Sequence, residues 1–169
     1  GRPQASVLIA ILNYGKFIES PELIYTQRSS HLSTHSGEVS FPGGKADETD
    51  LSLFGTALRE SNEEINLNSE DVTELGKLNY LISRHKIEVN PFVASVDQVQ
   101  ALKPNEEIQE IFTVPIDFLL DPKNIKREII KRHGGVWQVP TWSIKDQKIW
   151  GLTAMITVNF LNVCFDANI

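Results

Sequence analysis

The segment Arg59-Glu60-Ser61-Asn62-Glu63-Glu64-Ile65 gathers three carboxylates and a guanidinium into a short stretch of chain. On a helix advancing about 100° per residue, Glu60 and Glu64 share one stripe and Glu63 widens it. Phe54, Leu58, Ser61 and Ile65 fall on a different face, expected to point at the core, so the Glu60–Glu64 stripe borders the buried side. Like charges this close repel, and partial burial adds a desolvation cost for each ionised carboxylate. A hard divalent cation offsets both: Mg²⁺ takes oxygen ligands and suits one or two carboxylates together with substrate phosphates. Arg59 reaches Glu63 four residues on and is expected to fix its orientation. Taken alone, these residues favour a solvated acidic helix face over a metal site. The surrounding sequence decides between the two.

The elements that must position this helix are mixed in type. The chain has 169 residues, enough for one domain with a proper core, and a single domain over 1–169 is expected. Apolar runs at 7–12 and 23–26 read as strands, and 29–36 reads as a polar loop. A short strand at 39–41 is broken by Pro42-Gly43-Gly44, and a charged loop at 45–50 follows. Thr49 or Asp50 is expected to cap a helix running to about Ile65. Residues 75–83 and 87–96 suggest a hairpin, and 108–114 a strand leading into a short helix at 115–120. A second hairpin, 125–130 with 136–144, turns near Gly134-Gly135, and apolar spacing over 151–165 predicts a packed C-terminal helix. Strands and helices do not alternate strictly, which predicts an α/β domain with a mixed sheet.

A formal charge of −6 excludes generic binding to a nucleic-acid backbone, so attraction of an anionic substrate must be local. Cys164 is the only cysteine, which excludes an intrachain disulfide and a multi-cysteine zinc site. Its apolar neighbourhood predicts a small core residue. His31 and His35 share a loop with no third ligand at sensible spacing, so a histidine-based metal site is not expected. No apolar stretch is long enough to span a membrane, and the opening residues lack the plan of a signal peptide. A cytoplasmic protein is the expectation.

Upstream of the glutamates stands Gly37-Glu38-Val39-Ser40-Phe41-Pro42-Gly43-Gly44-Lys45. This loop followed by the glutamate-rich helix resembles the Nudix box, matched here by Gly44, Arg59-Glu60, Glu63-Glu64 and Leu67. The chain departs from the general pattern in four places. The interval from Gly44 to Arg59 is one residue longer, and Asp50 is the nearest substitute for the first box glutamate. Ser61 replaces an apolar residue, and Asn66 replaces a glycine, a mild change because Asn tolerates the left-handed conformation. The stretch 23–44, LIYTQRSSHLSTHSGEVSFPGG, is similar to the second signature of the coenzyme A pyrophosphatase branch, which also commonly carries the longer spacing and aspartates placed as Asp47 and Asp50 are. The similarity continues through Asn90-Pro91-Phe92-Val93, Asn105-Glu106-Glu107-Ile108 and 149–154.

The resemblance implies a Nudix-type α/β/α sandwich with a mixed β-sheet and a loop–helix–loop catalytic motif. It implies Mg²⁺, with Mn²⁺ as a substitute, held chiefly by Glu60 and Glu64. Glu63 would be a further ligand or a base, Gly44 (with Gly43) a carbonyl donor, and Glu38 a secondary candidate. Glu107, from a later loop, is expected as base or extra ligand in preference to Glu106, and Arg59 as the residue orienting the carboxylates. Arg28, His31, His35 and Lys45 are the candidate substrate contacts, while Trp137, Trp142 and Trp150 read as core or interface residues. The implied reaction is hydrolysis of the pyrophosphate of coenzyme A or its derivatives to 4′-phosphopantetheine and 3′,5′-ADP. Two alternatives stand beside it. One is a Nudix enzyme acting on oxidised or other nucleoside diphosphate derivatives. The other is a non-catalytic Nudix-fold binding module, which would tolerate loss of the glutamates this chain keeps. A homodimer is compatible with the fold.

Overall fold

The computed structural model describes residues 1–16, 20–33, 35, 37–97 and 101–169; positions 34 and 36 of the expected polar loop lie outside the described residues. In chain order the elements are β1 (Gln4–Leu12), β2 (Glu22–Arg28), β3 (Val39–Ser40), β4 (Gly43–Lys45), α1 (Leu53–Ile65), β5 (Val72–Lys77), β6 (Leu81–Ile82), β7 (Glu88–Val96), β8 (Ile108–Pro115), α2 (Ile116–Leu120), β9 (Lys126–Arg132), β10 (Gly135–Ile144), β11 (Gln147–Ile149) and α3 (Gly151–Phe165).

The main sheet runs β3-β2-β1-β7-β5, with β4 on β1, β6 on β7 and β8 on β2. It is mixed because β1 and β7 pair parallel, from Gln4↔Glu88 to Leu12↔Val96, while their other neighbours are antiparallel. The apolar run in β1 is continuous because both of its faces are covered. Ile9 and Ile11 join Leu23, Val93, Leu119, Ile156 and Phe160 in one core cluster; Leu8, Ala10 and Leu12 join Ala57, Ile65, Phe92 and Ala94 in the other. Helix α1 therefore covers one face and α2 and α3 the opposite one, giving the α/β/α layering. A separate three-stranded sheet, β11-β10-β9, flanks α3. Among the described residues, no helix is long and apolar enough to cross a membrane.

The second hairpin and the C-terminal helix lie where the sequence places them; the expected strand over 75–83 is split into β5 and β6, both paired with β7, and three further local readings change. The glycines after Pro42 form strand β4 where a break is expected, pairing Val7↔Gly43, Ser6↔Gly44 and Ala5↔Lys45. Strand β2 meets β1 only at Ile11↔Leu23 and Leu12↔Glu22, which leaves the N-terminal half of β1 with an open edge for the glycine strand to fill. Only glycine fits there: a Cβ on Gly43 would lie 2.2 Å from Ser6 O and 2.7 Å from Val7 Cα. Helix α1 is capped by Ser52, whose Oγ accepts from Gly55 N at 2.9 Å, so neither Thr49 nor Asp50 caps it. Cys164 is exposed, not a core residue, because the last turn of α3 runs past the sheet, leaving Val163 72% and Phe165 44% exposed as well.

Asn66 ends α1 at φ 58°, the left-handed conformation that makes it an adequate replacement for glycine. Ser61 is fully buried under α1, and its hydroxyl has no hydrogen-bond partner among the described residues.

Candidate active site

The pairing of β4 with β1 carries the two glycines beneath the glutamate stripe of α1. Gly43 N donates to Glu64 Oε1 at 2.9 Å. Gly44 lies against Glu60 so closely that a Cβ there would stand 2.5 Å from its Cδ and 2.7 Å from each carboxylate oxygen. From the other side, Arg28 at the end of β2 brings Nη1 to 3.9 Å from Glu64 Oε2, and its Nε is buried with no partner among the described residues. Glu60, Glu64, Gly43, Gly44 and Arg28 thus converge from three elements that lie far apart in the chain.

A fourth contribution comes from the loop before β8. Lys103 N donates to Ile65 O at 3.0 Å, Asn105 N to Glu64 O at 2.9 Å, and Ser29 N to Glu107 O at 2.8 Å. These bonds tie the loop both to the end of α1 and to the end of β2. They bring the exposed Glu107 close enough for its charge to act on Glu60 and Glu64.

Arg59 is a hub. Its Nε donates to Asp50 Oδ1 at 2.7 Å and its Nη2 to Asp50 Oδ2 at 3.1 Å. Its Nη1 donates to Glu60 Oε1 at 3.1 Å and Glu63 Oε1 at 3.2 Å, and its Nη2 also reaches Lys45 O at 3.1 Å. Asp50 additionally accepts from Thr56 Oγ1 and Asp47 N. It therefore anchors the arginine that aims the glutamates. The Arg59 hydrogen bonds hold the Asp50 carboxyl well below the usual carboxylate range.

Electrostatics separates the three glutamates. Burial raises the Glu60 carboxyl above its ordinary value, with Glu63 and Glu107 pushing the same way and Arg59 opposing. Burial pushes Glu64 further, to about 7; Glu60 and Glu107 add to it, while the Gly43 hydrogen bond and Arg28 oppose. Glu63 is half-exposed and turned to Arg59. Among the described residues no group of three His, Cys, Asp or Glu side chains stands at metal-holding distance. What is assembled is a pair of strained carboxylates beside a glycine strand, a hard-oxygen set that fits Mg²⁺ or Mn²⁺ with its remaining positions left to water and phosphate.

The Glu64 shift has a measurable consequence. A folded-state value raised from 4.5 to about 7 gives stability present below pH 4.5 and lost as pH rises through 7. The loss is on the order of 3 kcal/mol. In EDTA, the Tm of the wild-type protein is expected to fall relative to Glu64→Gln between pH 5 and pH 8, and Mg²⁺ or Mn²⁺ to restore it at pH 8. Parallel Tm profiles for the two proteins would rule this out.

A cleft of about 540 Å³ opens from Arg28, Gly43 and Gly44. Its floor is Val39 and Phe41; its walls carry Ile82 and Ile87 from the β6–β7 hairpin, Ile130, Trp137 and Val139 from β9 and β10, and Trp150, Leu152 and Met155 at the start of α3. Thr153 Oγ1 donates to Val39 O at 2.9 Å, which fixes α3 against the floor. His35 and Glu38 line the cleft; His31 and Lys45 are exposed and do not. Glu38 faces His35 and Arg84 instead of the box glutamates. Trp142 is a core residue, its Nε1 donating to Leu119 O at 3.1 Å, whereas Trp137 and Trp150 stand 61% and 43% exposed at the cleft. Arg84 and His85 also line it and were not singled out by the sequence. The available signal was a basic pair in a tight turn of an otherwise acidic chain.

The fold and site define a hydrolase built on a glycine strand and a carboxylate helix. The NUDIX domain family matches residues 2–140, and the chain belongs to that family. It is 40% identical over 159 residues to the uncharacterised Nudix hydrolase NudL of Pectobacterium atrosepticum, covering 90% of this chain and 78% of that protein. It is 39% identical over 142 residues to the mitochondrial coenzyme A diphosphatase NUDT8 of Homo sapiens, covering 81% of this chain but only 60% of that one. A crystal structure of a MutT/nudix family protein from Enterococcus faecalis superposes with a TM-score of 0.63 at 17% identity, covering 98% of this chain and 63% of the other. At that identity the likeness establishes the fold alone.

Proposed function

We propose that this chain hydrolyses the pyrophosphate bond of coenzyme A or its acyl or disulfide forms, releasing 4′-phosphopantetheine (or its acyl form) and 3′,5′-ADP. Residues 1–169 act as one catalytic unit, because the chain beyond the matched 2–140 supplies Trp150, Gly151, Leu152 and Thr153 to the cleft. The observation that carries the reading is Glu64: a buried carboxylate held between Gly43 N and Arg28, beside Glu60, with too little positive charge around it to be fully ionised at neutral pH. That arrangement calls for a cation.

Glu60, Glu64 and the Gly44 carbonyl would hold Mg²⁺, or Mn²⁺ in its place. Bound there, the metal would polarise phosphate oxygens and lower the pKa of a coordinated water. Arg28, partly exposed in the cleft beside Glu64, grips a phosphate oxygen with its guanidinium. Glu107, exposed beside the pair, accepts a proton from the attacking water; Glu63 is the alternative acceptor once it leaves Arg59. Arg59, fixed by Asp50, keeps Glu60 aimed at Gly44.

Coenzyme A as substrate is supported by the branch signature over 23–44, by the similarity to NUDT8 at 39% identity, and by a cleft that opens from Arg28 and the glycine strand. Its volume, about 540 Å³, lies in the usual range for small-molecule sites, roughly 300–1,000 Å³. The test is a substrate panel with Mg²⁺: coenzyme A, NADH, ADP-ribose and 8-oxo-dGTP. Coenzyme A is expected to give the highest kcat/KM, and EDTA to abolish turnover. Preference for any other substrate would defeat the coenzyme A reading, and no phosphate-releasing activity with either metal would point to a binding module.

A further inference from the structure

The cleft contains a polar cluster that neither the metal nor the scissile pyrophosphate uses. Arg84 and His85 sit in the turn between β6 and β7, which is locked by Ser83 N to Ile87 O and Lys86 N to Ser83 O, both 2.9 Å. Arg84 Nη2 lies 3.6 Å from Glu38 Oε1, and Arg84 Nε donates to His85 Nε2 at 3.4 Å. Glu38 Oε2 lies 2.9 Å from His35 Nδ1, and the His35 and His85 rings meet edge to face at 5.2 Å. Two loops far apart in sequence thus interlock three basic side chains around one carboxylate, and all four line the cleft.

We propose that Arg84, His85 and His35 form a subsite for a phosphomonoester, and that it reads the 3′-phosphate of coenzyme A; this rests on the coenzyme A reading above. A guanidinium carries five N–H donors. Arg84 commits Nε to His85 and turns Nη2 to Glu38, so its Nη1 donors have no protein partner among the described residues, and its side chain is 57% exposed. Glu38 has its two oxygens on Arg84 and His35, which fixes both relative to one another and leaves their outer edges to the cleft. A phosphomonoester carries about −1.5 to −2 charges near neutral pH, the strongest match for such donors. In the reading above, the pyrophosphate has its partners in Arg28 and in the metal that Glu60, Glu64 and Gly44 would hold. A second basic cluster in the same cleft therefore fits a substrate with a second anionic group. Coenzyme A has one; dephospho-coenzyme A, NADH and ADP-ribose do not.

The test measures kcat/KM with Mg²⁺ on coenzyme A and on dephospho-coenzyme A, for wild type, Arg84→Gln and His85→Ala, with adenosine 3′,5′-bisphosphate and 5′-AMP as competing inhibitors. Wild type is expected to prefer coenzyme A. Arg84→Gln is expected to lower kcat/KM for coenzyme A by roughly 10- to 100-fold, mostly through KM. Dephospho-coenzyme A should lose far less, so the preference collapses, and inhibition by the bisphosphate should weaken more than inhibition by 5′-AMP. Equal losses on both substrates would assign the cluster to holding the turn and overturn the proposal, as would an unchanged ratio. Wild-type cleavage of coenzyme A without preference over its dephospho form overturns this inference alone, and cleavage of neither overturns the coenzyme A reading with it.

Discussion

Glu64→Gln is expected to reduce kcat by roughly a thousandfold or more, about 4 kcal/mol on the barrier, while the fold survives. The amide keeps the size of the side chain, and its oxygen still accepts from Gly43 N, the 2.9 Å bond that joins α1 to β4. What disappears is the negative charge in the most enclosed part of the site. Without metal that charge is a burden, since burial drives Glu64 to about 7 and Arg28 at 3.9 Å compensates it only partly. Removing it leaves the metal-free protein at least as stable as wild type near pH 8. With metal the same charge is the attraction, so Mn²⁺ binding, read by calorimetry or electron paramagnetic resonance, should weaken together with kcat. A variant with near-normal kcat would remove Glu64 from the chemistry. Loss of activity accompanied by unfolding would instead assign it a structural role.

The adjacent glycines should respond to the same substitution in opposite ways. In Gly43→Ala the new methyl meets backbone, 2.2 Å from Ser6 O and 2.7 Å from Val7 Cα on the central strand. Neither atom can move without opening the β1–β4 pairing, so a destabilisation of about 3 kcal/mol or more is expected from urea unfolding. In Gly44→Ala the methyl meets the Glu60 carboxylate, 2.5 Å from Cδ. That group ends a flexible side chain and can swing aside, so stability should change by less than about 1 kcal/mol. The displaced ligand should nonetheless lower kcat/KM by roughly a hundredfold. If Gly44→Ala retained full activity, Glu60 would not need its seat against this strand. If Gly43→Ala were as stable as wild type, the close packing of β4 on β1 would not be a requirement of the fold.

The sequence by itself determined the features that local chemistry encodes. Glu60 and Glu64 share a stripe because helical geometry places residues four apart together, and that spacing held. Asn66 could be assigned the left-handed position after α1, and 151–165 the C-terminal helix, because conformational preference and apolar spacing act within a few turns. The tertiary structure decided what depends on encounters between distant segments. The glycines after Pro42 look like a break until β1 offers them an open edge. Asp50 reads as a cap until Arg59 reaches it, whereas the Arg59–Glu63 contact, four residues apart on one helix, was legible from spacing. Cys164 reads as core until α3 is seen to outrun the sheet it covers. Local sequence singles out Arg28 and Glu107 through the resemblance, and marks Arg84 only as part of a basic turn, but it does not say where they and Trp137 meet. Their places follow from the sheet register and loop anchoring that bring them to the glutamate pair or its cleft. Burial then does what spacing cannot: it raises the proton affinity of Glu64, the feature from which a cation seat on this helix face is proposed.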